Sequence, residues 1–228
     1  MIQTTSCLDG SVSPQCFNIL TREEWEKVSR GQQLFRYDAG EVICRQGAAT
    51  ATVVFLISGI ARQYIEGDTG RPFNISIVKP GEFQGLPALF GDRRFTTSVA
   101  ALSEVEVCMM EIEVMRMLAN SNIAFALRLF QRHLAEERHL IDTVARLNYK
   151  QMPGKVAEVL LYLTGESLAD HDVTSCLSRA DIANFAAISH INVVKILRQF
   201  ESDGLIQLNK KHISIANRPG LEKIAMHG

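Results

Sequence analysis

The stretch "LSRADIANFAAISHINVVKILRQFESDGLI", Leu177–Ile206, decides the reading of the whole chain. Ser178 followed by Asp181 has the spacing of a capping box, in which hydroxyl and carboxylate satisfy the free N–H groups of a helix start. Ile182 and Phe185 give a first helix its buried side, Ala186, Ala187 and Ile188 form a turn, and Ser189 is placed to cap a second helix. In that second helix Val193, Ile196, Leu197 and Phe200 fall on one face, which leaves His190, Asn192, Lys195 and Arg198 outward. Two capped helices, a tight turn and a basic face predict a helix-turn-helix, whose second helix offers its early residues to base edges in the major groove.

The next segment, "LIQLNKKHISIANR", reads as two short strands turning about Asn209, Lys210 and Lys211. A winged helix-turn-helix follows, with paired lysines at the wing tip suited to phosphate. Arg179, Ser189, His190, Asn192, Lys195, Arg198, Lys210 and Lys211 are the expected DNA-binding residues. Charge agrees in sign: residues 178–228 hold 7 Lys+Arg against 4 Asp+Glu, while residues 1–150 hold 16 against 17. Such an excess permits a nucleic-acid face without requiring one.

Upstream, Thr21 and Glu24 mark another capped helix. From Leu34 to Glu113 the pattern becomes short apolar runs separated by turn residues, such as Asp38-Ala39-Gly40, Ser58-Gly59 and Lys79-Pro80-Gly81. It predicts an antiparallel roll or barrel of short strands. From Val114 to about Leu147 the period is helical, and Leu127, Phe130, Leu134, Ile141 and Val144 form a narrow seam among charged residues. That seam suits pairing with a second copy of the chain; the rival reading packs it on the strand domain. Met152-Pro153-Gly154 is expected to interrupt the helix, since proline disfavours helical geometry in the residue before it. The predicted fold is α+β, with an N-terminal helix and β-roll over 1–113, a dimerisation helix over 114–150, and a winged helix-turn-helix over 151–228.

The stretch "LSRADIANF…SHINVVKILRQFESDGLI…KKHISI" resembles the DNA-binding end of the cyclic-AMP receptor protein and fumarate–nitrate regulator (CRP/FNR) superfamily. "YDAGEVICRQG", "VVFLISGIARQY" and "IVKPGEFQGLPALFG" look like that family's sensory β-roll, so the resemblance covers roughly residues 20–215. It implies a homodimeric transcription regulator that joins its effector domain to its DNA-binding domain through a long helix. The expected partners are double-stranded DNA, a second copy, RNA polymerase and a small-molecule or redox effector.

Departures from the family pattern narrow the effector. Members that bind cyclic nucleotides carry a glutamate after the glycine of their phosphate cassette, and an arginine followed by Ser or Thr. Here Gly85 is followed by Leu86, and Phe95 separates Arg94 from Thr96. A ribose hydroxyl left unpaired costs about 1–3 kcal/mol, which argues against cyclic AMP. Phe83, Gly85, Leu86, Arg94, Thr96 and Thr97 form the expected effector pocket, with its ligand open and no cofactor expected. The alternatives are an iron–sulfur or other redox sensor of the same family using Cys7, Cys16, Cys44 and Cys108, or a sensor acting through protein contacts without DNA. In the recognition helix, Ile191 stands where well-known members carry a glutamate, so the operator is expected to differ from the familiar half-site.

The five cysteines form no CxxC pair, and no zinc or other metal site is signalled. All six histidines lie outside the strand region, which argues against a cupin-type metal enzyme, and there is no P-loop or nucleophile elbow. The N-terminus lacks the pattern of a signal peptide, and no run of about 18 apolar residues appears. A cytoplasmic location with no membrane partner is therefore expected.

Overall fold

A computed structural model of the chain describes residues 15–67 and 70–228. They form two compact units: one runs to Ile65 and resumes over Ile77–Arg138, and the other joins Glu66–Ser76 to His139–Gly228.

The first unit opens with a short 3-10 turn, Gln15–Ile19, and helix α1, Arg22–Arg30. The capping box at its start is formed: Thr21 N donates to Glu24 Oε2 at 2.8 Å, and Glu24 N donates to Thr21 Oγ1 at 3.3 Å. Two antiparallel sheets follow. One holds, in spatial order, β1 (Gln32–Tyr37), β8 (Val105–Glu111), β3 (Thr52–Ser58) and β6 (Phe83–Gln84). The other holds β2 (Val42–Cys44), β7 (Ser98–Ala101), β4 (Ala61–Glu66) and β5 (Pro72–Val78).

Strand β3 explains the layering. Its side chains alternate between faces, yet Val53, Val54, Phe55 and Leu56 are all buried. Val53 and Phe55 join a core with Cys108, Met110, Leu118 and Phe125, while Val54 and Leu56 join a second core with Val99, Val105 and Val107. The first sheet is thus covered by helices on one face and by apolar residues of the second sheet on the other. The β3–β4 turn requires glycine: at Gly59, φ is +78° and a Cβ would lie 2.1 Å from Glu104 O.

The helical stretch after the roll is two helices rather than one, α2 being the short segment Leu86–Phe90 within the roll. Helix α3, Ile112–Ser121, stops at Asn122, and α4 runs over Ile123–Tyr149. Asn122 has extended backbone angles, accepts from Phe125 N through Oδ1 at 3.1 Å, and donates Nδ2 to Glu24 Oε2 at 3.2 Å. A side chain that caps the new helix and is itself held on α1 forces the break. On α4, Phe125 and Leu129 enter the helix-side core. Leu127, Phe130 and Leu134 remain 44–57% exposed, so the strands of their own unit do not cover that part of the seam; Ile141 and Val144, in the second unit, are 62% and 50% exposed.

The second break also differs from expectation. Lys150 and Gln151 are non-helical, and α5 runs over Met152–Leu163 with Pro153 in its first turn. There the missing proline N–H costs nothing, because first-turn N–H groups have no helical acceptor. Then come α6 (Val173–Cys176), α7 (Arg179–Ala186), α8 (His190–Ser202), β9 (Ile206–Asn209), β10 (His212–Ile215) and α9 (Arg218–His227). Val156, Leu160, Leu163, Ile182, Phe185, Val193, Leu197 and Ile213 are buried in this unit.

Candidate nucleic-acid interface

Both predicted caps of the helix pair are present. Asp181 N donates to Ser178 Oγ at 3.1 Å, Ser178 N donates to Asp181 Oδ2 at 2.8 Å, and Asn192 N donates to Ser189 Oγ at 3.2 Å. Helix α7 ends at Ala187, which takes a left-handed conformation (φ 51°) usually left to glycine. The chain turns by 101° between α7 and α8, within the range of helix-turn-helix units.

The apolar side of α8 is held by buried Val193, Leu197 and Phe200, with Ile196 half-buried. His190, Ile191, Lys195 and Arg198 are exposed on the remaining surface. Ile191 is 66% exposed, a large apolar side chain in the first turn of a helix with free surface around it. Asn192 is less available than its sequence position implies: it is half-buried, and Nδ2 lies 3.2 Å from Met152 Sδ. The Ser189 hydroxyl is engaged in its cap.

The wing is a two-residue hairpin in which His212 pairs with Asn209 and Ile215 with Ile206. Lys210 adopts φ 55°, as the tightest hairpin turns require, and both turn lysines are exposed. Arg179 holds this tip in place: its two terminal nitrogens donate to Lys210 O at 2.9 Å and Lys211 O at 3.1 Å. The Arg179 guanidinium, expected at DNA, donates here to the wing, where its fork of donors fits two successive carbonyls.

A second support was not foreseen from sequence. His212 Nδ1 lies 3.0 Å from Asp172 Oδ1, and Ser175 Oγ donates to Asp172 Oδ2 at 2.5 Å. These bonds, the serine's first and then those of His212, hold the Asp172 carboxyl below the ordinary aspartate range. Local pattern marks Asp172 only as a turn residue; its partner on β10 is 40 positions away.

The expected effector-pocket residues divide. Phe83 and Leu86 enter the helix-side core. Gly85 has φ +85°, and a Cβ there would lie 2.8 Å from Phe95 Cε1, so the Phe95 ring rests directly on the cassette glycine. Arg94 is exposed and donates to Gly47 O at 2.6 Å. Thr96 is exposed, and Thr97 Oγ1 accepts from Gln63 Nε2 at 2.9 Å. Among these residues the structure brings Gly85 and the intervening Phe95 together.

The cysteines are dispersed likewise. Cys16 and Cys108 belong to the helix-side core, Cys44 to the core between the sheets, and Cys7 lies outside the described residues. Burial pushes the Cys16 thiol up to about 11 and the Cys44 thiol up to about 12, which favours the protonated form over the thiolate a metal needs. Among the described residues no three His, Cys, Asp or Glu side chains gather into a metal-ligand set, and no single helix is long and apolar enough to cross a membrane.

Comparison with known proteins agrees with this geometry. Residues 34–122 match the cyclic nucleotide-binding domain family, and residues 154–224 match the Crp-like helix-turn-helix domain family. The chain is 23% identical over 230 residues to the transcriptional regulatory protein btr of Bordetella pertussis, covering 96% of this chain and 92% of that one. It is 22% identical over 186 residues to the cAMP-activated global transcriptional regulator CRP of Salmonella typhimurium, covering 80% and 89%. The crystal structure of a putative transcriptional regulator of the crp/fnr family from Eubacterium rectale superposes with a TM-score of 0.77 at 18% identity, over 93% of this chain and 98% of that one.

Proposed function

The chain belongs to the CRP/FNR superfamily of DNA-binding transcription regulators, a family without enzymatic activity, and from that premise we propose a homodimer that reads an inverted-repeat operator under control of a roll that does not take cyclic AMP. The observation that carries the DNA reading is the α8 surface. Buried Val193, Leu197 and Phe200 fix the helix so that His190, Ile191, Lys195 and Arg198 stand free. Cationic and polar groups at such a helix start reach base edges, while Lys210 and Lys211 meet phosphate. Exposed Ile191 supplies an apolar contact suited to a thymine methyl, where a glutamate would accept from cytosine.

The dimer reading rests on the seam. Leu127, Phe130, Leu134, Ile141 and Val144 are exposed along α4 at spacings of three, four, seven and three, the pattern by which one helix packs on its copy. A two-fold dimer places two recognition helices on successive major grooves, about one helical turn apart.

The effector reading rests on Phe95. An aromatic ring resting on Gly85 occupies space beside the cassette backbone and offers no charge or hydrogen bond to a cyclic phosphate. The iron–sulfur alternative has less support, because Cys44 is separated from Cys16 and Cys108 by the first sheet. The effector is thus a ligand other than cyclic AMP, and RNA polymerase remains the expected partner at a promoter.

Salt-dependent binding to duplex DNA tests this reading. Affinity should fall steeply with salt in proportion to the phosphates neutralised. Binding that ignored salt, or no binding to any duplex, would favour a sensor acting through protein contacts.

A further inference from the structure

Asn192 stands in the first turn of α8, directly after exposed His190 and Ile191 and three positions before exposed Lys195. It is fixed twice. Its backbone N–H donates to Ser189 Oγ at 3.2 Å, and its side-chain Nδ2 donates to Met152 Sδ at 3.2 Å. Met152 is the first residue of α5 and is 46% exposed. Helices α5 and α8 pack against each other within the C-terminal unit, so the sulfur is carried by a neighbouring rigid element.

A thioether sulfur has no hydrogen to donate and can only accept, weakly. The nitrogen of the Asn192 amide, and not its oxygen, must therefore face Met152. Because the amide is planar, Oδ1 is then turned away from the sulfur. Among the described residues it accepts no bond, and the second Nδ2 proton is also unspent. One acceptor and one donor in a plane match adenine in the major groove, which offers its N6 amino group and its N7. Guanine offers two acceptors there, O6 and N7, so a fixed amide would set oxygen against oxygen. A freely turning amide escapes that clash by presenting its NH2 group.

We propose that Met152 is a positioning residue for base recognition, its sulfur holding the Asn192 amide oxygen-outward so that each recognition helix selects adenine over guanine at one base pair. Met152 does this without touching a base. The role rests on the DNA-binding reading; the orientation of the amide does not.

Two measurements on the full chain test it. In the free protein the Met152 methyl group should show a nuclear Overhauser contact with the Nδ2 protons of Asn192. Met152→Leu conserves side-chain volume but removes the acceptor. In site selection from random duplexes it should lower the adenine-over-guanine preference at one base pair per half-site by about tenfold, the scale of one base contact. Its melting temperature, its affinity for unrelated duplex and its salt slope should match the wild type. Added to Asn192→Ala, the same change should cause no further loss of preference, because it acts only through that amide. A merely structural Met152 would instead lower stability or affinity for all sequences and leave the preference intact. An unchanged adenine preference in Met152→Leu, or no contact between the methyl group and Nδ2, would overturn the proposal. Failure to bind any duplex would sink the DNA-binding reading and this role with it, while the contact in the free protein would still decide the amide's orientation.

Discussion

Leu134→Glu together with Ile141→Glu places four carboxylates in the seam of a two-fold dimer. The five seam side chains are 44–62% exposed in the single chain, so about half of each remains to be covered. Full burial of such a side chain contributes about 1.5–3 kcal/mol, so covering the rest gives about 1 kcal/mol each, or roughly 10 kcal/mol for both copies. Association itself costs about 4–15 kcal/mol, so the seam's burial is of the same size as the cost it must offset. Removing four of these contacts costs about 4 kcal/mol. On the scale of tenfold per 1.4 kcal/mol, the dimer weakens about a thousandfold, before any cost of burying carboxylates. Light scattering and sedimentation at micromolar concentration read the result directly. The wild type should be a dimer and the variant a monomer of unchanged helix content that no longer binds an operator. A monomeric wild type, or a variant still dimeric at the same concentration, would refute the argument.

Other outcomes follow from the same geometry. Millimolar cyclic AMP should leave the melting temperature unchanged, because a ligand that binds the folded state must raise it; a clear upward shift would show that Phe95 does not exclude the nucleotide. Arg179→Ala should loosen the wing and weaken binding to all sequences alike, read as faster exchange at residues 209–212 with no new base preference. Burial, reinforced by Glu82 and opposed by Arg132, pushes the Glu136 carboxyl up to about 7. A raised carboxyl pKa means the folded state binds the proton more tightly, so this group's contribution is lost as pH rises from about 4.5 to about 7. Glu136→Gln should therefore stabilise the protein more at about pH 8 than at about pH 5 in paired denaturation curves, modestly, since 40% of the side chain remains exposed to screening.

What the sequence disclosed was whatever depends on near neighbours. The caps at Thr21, Ser178 and Ser189, the short apolar runs of the roll, the wing turn at Lys210 and the apolar seam on α4 all follow from residues a few positions apart. The break at Asn122 was hidden because the apolar period continues through it; Asn122 caps the new helix at Phe125 and is itself held by Glu24, 98 positions away. Pro153 was read as a break when it begins a helix, since one residue cannot show which turn it will occupy. Arg179 was expected at DNA, and its bonds to the wing could not be foreseen because its acceptors are backbone carbonyls, which leave no trace in composition. Asn192 follows the outward period of α8, yet Met152 on another helix covers part of it.

The claim that α8 reads bases while the wing holds phosphate is tested most directly by selecting binding sites from random duplexes at two salt concentrations. The wild type should recover inverted half-sites about one helical turn apart. Ile191→Ala with Lys195→Ala should change the preferred base within each half-site, each lost contact being worth about 1–3 kcal/mol of discrimination. Lys210→Ala with Lys211→Ala should keep the wild-type sequence and flatten the salt slope by about 1 per lost phosphate contact. If the α8 variant recovered the wild-type sequence unchanged, the helix would not be reading bases and the account would fail.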